Sequence, residues 1–120
     1  RAEDFEPHHL SLIMNAYAKC KVRKVNTLQL LGNYLVNGVP GLSPQNVSNV
    51  VHAYARLGLY HRQLLQELQK RLRHEDLGNY KLYELAVLTH SLAKMKAGSQ
   101  DLHRALLEEL ARRDAAQWEP

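Results

Sequence analysis

Cysteine, phenylalanine and tryptophan each occur only once in this chain. The lone Cys20 can form no internal disulfide, which excludes the small disulfide-stapled scaffolds and fits a reducing compartment. Aromatics supply only 7% of the 120 residues, while apolar residues reach 45%. The core must therefore be aliphatic, built mainly from Leu and Ala, and those residues favour helix over strand. No apolar run approaches the ~20 residues of a membrane span, and none follows a charged start, so neither a spanning segment nor a signal sequence is visible. The chain begins with Arg1 rather than Met, as expected of a processed product or a piece of something longer, from which any targeting presequence could already be gone.

Catalytic and metal-binding patterns are equally scarce. His8, His9, His61, His74 and His103 form no Cys/His array with metal-ligand spacing. There is no Gly-rich phosphate loop, no zinc-protease helix motif and no paired-carboxylate constellation. The expectation is a non-enzymatic chain without cofactor, metal or small-molecule substrate. Its length suits one continuous core but not a catalytic domain beside a separate binding domain. Sixteen Lys and Arg against twelve Asp and Glu give a formal charge of +4. That balance suits an anionic partner, and equally a merely solvated surface.

An internal repeat is what the sequence does contain. Ile13-Met14-Asn15-Ala16-Tyr17-Ala18-Lys19 aligns with Val50-Val51-His52-Ala53-Tyr54-Ala55-Arg56 at a shift of 37, and with Leu88-Thr89-His90-Ser91-Leu92-Ala93-Lys94 after 38 more. The register extends outward through Leu10, Val47 and Leu85, then through Leu31, Leu68 and Leu106, and through Leu35, Leu72 and Leu110. Phe5, Leu42 and Tyr80 stand just ahead of each first helix, where an apolar residue anchors the incoming chain. A period of this size marks stacked helix pairs, since one pair alone cannot bury its apolar faces.

Each unit reads as two helices. Ser43 is a good N-cap and Pro44 a good first helical residue, with Pro7 in the equivalent place. Val47, Val50, Val51, Tyr54 and Leu57 follow helical spacing, and Gly58 supplies a stop. The second helix carries Leu64, Leu65, Leu68 and Leu72 as a stripe, with Glu67 and Arg71 spaced for an outer-face pair. The third unit repeats the stripe with Leu102, Leu106 and Leu110, beside Glu108–Arg112 and Glu109–Arg113 spacings. The spacing predicts helices over about 7–21, 26–37, 44–57, 60–74, 81–96 and 99–114. The expected fold is an all-α solenoid of three helix–turn–helix repeats, about 5–41, 42–79 and 80–116, forming one domain. The small residues Ala16, Ala18, Ala53, Ala55, Ser91 and Ala93 are expected to let neighbouring helices approach closely. Cys20 aligns with Leu57 and Met95, which predicts a core position. Tyr17 and Tyr54 share a repeat position with Leu92, favouring packing over base stacking.

The segments Leu42-Ser43-Pro44-Gln45-Asn46-Val47-Ser48-Asn49-Val50-Val51-His52-Ala53-Tyr54-Ala55-Arg56-Leu57-Gly58 and Leu85-Ala86-Val87-Leu88-Thr89-His90-Ser91-Leu92-Ala93-Lys94-Met95 resemble the heptatricopeptide and octotricopeptide organellar helical repeats that often accompany RAP domains. The resemblance covers nearly the whole chain, although no RAP domain is visible. It implies a mitochondrial or plastid protein associated with RNA, serving transcript maturation, stability or translation, or forming part of a mitochondrial ribosome or other ribonucleoprotein.

Two sets of residues are candidates for RNA contact. Lys19, Arg56 and Lys94 recur at one repeat position, so stacking would align three positive charges as a phosphate-binding stripe, joined by Lys21, Arg23, Lys24 and Lys96. The same residues would also suit the C-terminal ends of helices with no ligand at all, where cations complement the last carbonyls. One turn earlier, Asn15, His52 and His90 are planar polar side chains able to hydrogen-bond or stack on unpaired bases, or simply to sit solvated. The alternative to RNA binding is a scaffold subunit of a larger mitochondrial assembly, touching neighbouring protein subunits and no RNA.

Overall fold

The computed structural model describes the chain from Glu6 to Trp118, with side chains as far as Arg113. Six α-helices follow one another: α1 (Pro7–Lys19), α2 (Val25–Leu35), α3 (Pro44–Leu57), α4 (Arg62–His74), α5 (Leu82–Met95) and α6 (Gln100–Trp118). Two 3-10 turns, Val36–Gly41 and Leu77–Asn79, precede α3 and α5. Among the described residues there is no strand. Pro7, Pro44 and Leu82 open one set of helices, and Val25, Arg62 and Gln100 the other. Both sets keep the spacings of 37 and 38 found in the sequence.

Local chemistry sets the boundaries. Ser43 caps α3 by accepting the Asn46 N–H at 3.1 Å, ahead of Pro44. His61 and Ser99, one repeat apart, cap α4 and α6 through Leu64 N–H (3.1 Å) and Leu102 N–H (3.1 Å). α2 ends at Leu35 rather than 37 because Pro40 has no N–H to continue the ladder, and the chain tightens into the 3-10 turn. α6 runs to Trp118, past the expected 114, through Ala-rich sequence with no breaker. Gly58 ends α3 in the left-handed conformation at φ 67°. Lys21 and Lys96, at the same repeat position, adopt it too, at φ 56° and 55°.

α3 packs along α1 on one side and α5 on the other, while α4 lies between α2 and α6. Side-chain contacts give the direction. The Ser48 hydroxyl donates to the Glu84 carbonyl at 3.0 Å, and one turn onward His52 Nδ1 lies 3.5 Å from Ser91 Oγ. Contacts that advance together along both helices mean that α3 and α5 run parallel. Arg23, just past α1, donates to the Leu57 carbonyl at 2.8 Å, so the ends of α1 and α3 also lie side by side.

The core is the expected aliphatic stripe. Leu10, Val47, Leu85, Leu31, Leu68, Leu106, Leu35 and Leu72 are all buried, Leu110 packs against them, and Leu42 and Tyr80 are the buried anchors ahead of α3 and α5. Phe5, the expected first anchor, lies outside the described residues. Each such side chain, fully buried, contributes about 1.5–3 kcal/mol of transfer free energy.

Burial at the small residues depends on the neighbours. Ala18 and Ala55 are buried but Ala93 is exposed; Ala53 and Ser91 are buried but Ala16 is exposed. The first position therefore faces the next helix of the row and the second faces the previous one, so α1 and α5 each leave one such face open. The same asymmetry corrects the reading of Cys20, which is exposed. Leu57 at its repeat position is covered by the α1 end of the row, and nothing described stands in that place beside α1.

The ion pairs also differ from the simple spacing. Arg71 pairs with Glu75 (3.0 Å) rather than Glu67, and Glu109 pairs with both Arg113 (2.8 Å) and Arg112. Glu75 and Arg113 are one repeat apart, as are Arg71 and Glu109, so the same two positions carry the pair with its charges exchanged. Arg71 also donates to the Val39 carbonyl (2.8 Å) and Arg113 to those of Leu77 (3.0 Å) and Gly78 (3.1 Å). Each arginine ties its helix to the turn that leads into its own unit from the one before.

Candidate nucleic-acid interface

Because α1, α3 and α5 lie in one parallel row, their C-terminal ends share one edge. Lys19, Arg56 and Lys94 occupy the last turns of these helices and are exposed. Lys21, Lys24 and Lys96 follow in the adjoining connections, also exposed. Arg23 is at the same edge but already engaged: its guanidinium holds the Leu57 carbonyl and reaches toward that of Gly58 (3.4 Å). It acts as a clasp between α1 and α3, so less of its hydrogen-bonding capacity is left for a phosphate.

Carboxylates are nearly absent from these segments. Across 7–24, 44–61 and 81–98 the only acidic residue is Glu84. It is buried, and its Oε1 accepts the Lys81 N–H at 2.7 Å at the start of α5. The acids that balance the chain's charge lie mostly on α4, α6 and the turn between α4 and α5, where Glu75 and Glu109 are paired with arginines. The positive edge is thus unneutralised by its own helices.

Asn15, His52 and His90 sit one turn before this edge. His90 is exposed, whereas Asn15 and His52 are half-buried because the next helix of the row leans against them. His52 has its pKa lowered from the usual imidazole value, first by burial, then by Arg56, Lys94 and His90. These three groups repel a proton on His52, which shows that the structure brings His52, His90, Arg56 and Lys94 into one electrostatic neighbourhood. A neutral imidazole keeps one nitrogen as acceptor and one as donor, the form that can read a base edge.

The structure adds residues that the repeat alignment passes over. A groove of about 250 Å³ between α3 and α5 is lined by Gln45, Asn49, His52, Lys81, Tyr83 and Val87. Tyr83 is 79% exposed, the most exposed of the large apolar side chains among the described residues. An aromatic ring beside amides and a cation is a chemically suitable seat for an unstacked base. Tyr83 shares its repeat position with Gln45 and His8, three unlike residues, so periodicity carried no signal there.

Protein-family models, curated proteins and solved structures were all compared. The chain matches none of them. Among the described residues no group of His, Cys, Asp or Glu is gathered to hold a metal ion, and no helix is long and apolar enough to cross a membrane.

Proposed function

We propose that the three helix pairs form a short α-solenoid that binds single-stranded RNA without catalysis along the edge and groove of α1, α3 and α5. The observation that carries this reading is the alignment of Lys19, Arg56 and Lys94 on a row of parallel helices whose own segments hold no exposed carboxylate. Phosphates lie along the cationic edge, with Lys21, Lys24 and Lys96 adding affinity and Arg23 chiefly holding the row together. Bases turn inward over Asn15, His52 and His90, and Tyr83 offers a stacking face. The resemblance to organellar helical repeats supports a place in mitochondrial or plastid RNA metabolism, or in a mitochondrial ribosome.

A second reading, a scaffold that contacts only protein, draws support from the exposed side chains of Leu12, Leu30 and Leu107. Fluorescence anisotropy with a labelled single-stranded RNA at physiological salt separates the two. Saturable binding that unlabelled single strands compete for supports the first; no binding leaves the second.

A further inference from the structure

Glu84 is the one acid among the segments that carry the cationic edge, and only 8% of its surface is exposed. Among the described residues no Lys, Arg or His forms an ion pair with it. A covered carboxylate without a cation is costly unless hydrogen-bond donors satisfy it. The residue is held firmly in place: the Ser48 hydroxyl donates to its backbone carbonyl at 3.0 Å, and its Oε1 accepts the Lys81 N–H at 2.7 Å. That helix-cap bond occupies one of about four lone-pair sites on the carboxylate. Glu84 also lines the groove of about 250 Å³ between α3 and α5.

The rest of the lining narrows what can fill this groove. Tyr83 presents an exposed ring, Gln45 and Asn49 offer amides, and Lys81 supplies a cation for an adjoining phosphate. Such a set suits a nucleobase stacked on the ring with its polar edge toward the carboxylate. A carboxylate can only accept, so a base that engages both its oxygens must present two neighbouring donors. Guanine does so with N1–H and its exocyclic N2 amine. Adenine and cytosine set a ring acceptor beside their amine, and uracil flanks its single N–H with carbonyls. At the α1–α3 seam the counterparts of Tyr83 and Glu84 are Gln45 and Asn46, and those of Gln45 and Asn49 are His8 and Leu12. The combination of ring and acid therefore belongs to the α3–α5 seam and not to its neighbour.

We propose that the α3–α5 groove is a guanine-selective subsite, in which the Glu84 carboxylate accepts N1–H and the N2 amine while the base stacks on Tyr83. The single-stranded RNA reading above supplies the source of the guanine, and the proposal rests on it for that alone; the pairing itself is open to a free guanine nucleotide. Tyr83 and Lys94 stand toward opposite ends of α5, about 16 Å apart along its axis. This guanine and a phosphate at Lys94 thus belong to different nucleotides of one strand.

Competition anisotropy with oligouridines that carry one internal guanosine, inosine, adenosine or cytidine tests this, beside NMR titration of the protein with 5′-GMP and with 5′-AMP. The guanosine strand should bind about tenfold more tightly than the adenosine or cytidine strand, the discrimination of a good bidentate pair. Inosine, which keeps N1–H but lacks the amine, should fall between. Glu84→Gln retains an oxygen for the Lys81 N–H, and should bring the guanosine and adenosine strands to nearly equal affinity. 5′-GMP, but not 5′-AMP, should shift the Tyr83 ring signals. Equal affinity for the guanosine and adenosine strands together with no shift by 5′-GMP overturns the proposal and leaves RNA binding itself intact. So does inosine that equals guanosine, or a preference that survives Glu84→Gln. If 5′-GMP shifts Tyr83 while the guanosine strand has no advantage, the source is a free guanine nucleotide; if in addition no strand binds, the RNA reading falls and the subsite stands.

Discussion

Gly32 and His61 touch across the seam between the first two units: a Cβ on Gly32 would fall 2.4 Å from His61 Cδ2 and 2.6 Å from the Tyr54 hydroxyl. Both neighbours are fixed. His61 Nδ1 accepts the Leu64 N–H, so its Nε2 carries the proton and donates to Asn33 Oδ1 at 2.8 Å, while Tyr54 donates to the Leu28 carbonyl at 2.7 Å. Gly32→Ala would gain about 1 kcal/mol of helix propensity in isolation. We expect it instead to destabilise the protein by about 1–3 kcal/mol through overpacking, read as a lower urea midpoint. A raised midpoint would mean that the seam is looser than described.

Lys21 and Lys96 hold a backbone conformation that Gly58 adopts at no cost at the same repeat position. Relieving a left-handed conformation at a non-glycine residue is worth roughly 1 kcal/mol. Lys96→Gly should therefore raise the melting temperature while weakening RNA binding by the loss of one cation. A fall in both would show that the side chain, not the backbone, dominates there.

Arg113 and Arg112 lie side by side on α6 but do different work. Arg113 is largely covered and ties α6 to the carbonyls of Leu77, Gly78 and Tyr80, whereas Arg112 is exposed and, among the described residues, pairs with Glu109. Charged hydrogen bonds of the first kind are worth about 1.5–3 kcal/mol, and exposed ion pairs about 0–1 kcal/mol. Arg113→Gln should lower the urea midpoint clearly and Arg112→Gln scarcely; equal shifts would contradict the latch.

His52 carries a pH dependence with a defined sign. Its folded pKa lies below the unfolded value, so below about pH 6.5 the unfolded chain takes up the proton first. Stability is then present above the unfolded pKa and falls as pH drops through the window between the two values. Denaturant melts at falling pH should show this slope, and His52→Asn should lessen it. A phosphate bound nearby would raise the His52 pKa, so RNA should shift its imidazole NMR titration upward. No shift on saturation with RNA would place the strand away from His52.

The helices were legible in the sequence because each repeat position is chemically redundant: Leu31, Leu68 and Leu106 say the same thing three times, and Ser43-Pro44 announces a start. Relations between units were less legible. Ala16 and Ala93 read as packing residues like Ala53 and Ala55, yet they are exposed, because burial at those positions is supplied by the adjacent helix rather than by the residue itself. Cys20 read as core for the same reason. Arg71 could be spaced against Glu67 or Glu75, and the turn carbonyl of Val39 decides in favour of the arrangement that places Glu75 alongside. Of the candidate site, the recurring cations were visible as a pattern, but the clasp made by Arg23 and the exposed ring of Tyr83 depend on three-dimensional neighbours that no period reveals.

The salt dependence of RNA binding tests the central claim most directly. Changing Lys19, Arg56 and Lys94 together to Gln removes three aligned cations; changing Lys70, Arg73 and Arg112, exposed toward the far ends of α4 and α6, removes three from elsewhere. Each phosphate contact to a single strand contributes about 0.7 to the slope of log affinity against log salt. The account predicts that the first variant keeps the wild-type fold, binds single-stranded RNA more weakly and loses roughly 2 from that slope, while the second changes neither. Equal losses in both variants, or an unchanged slope in the first, would contradict it.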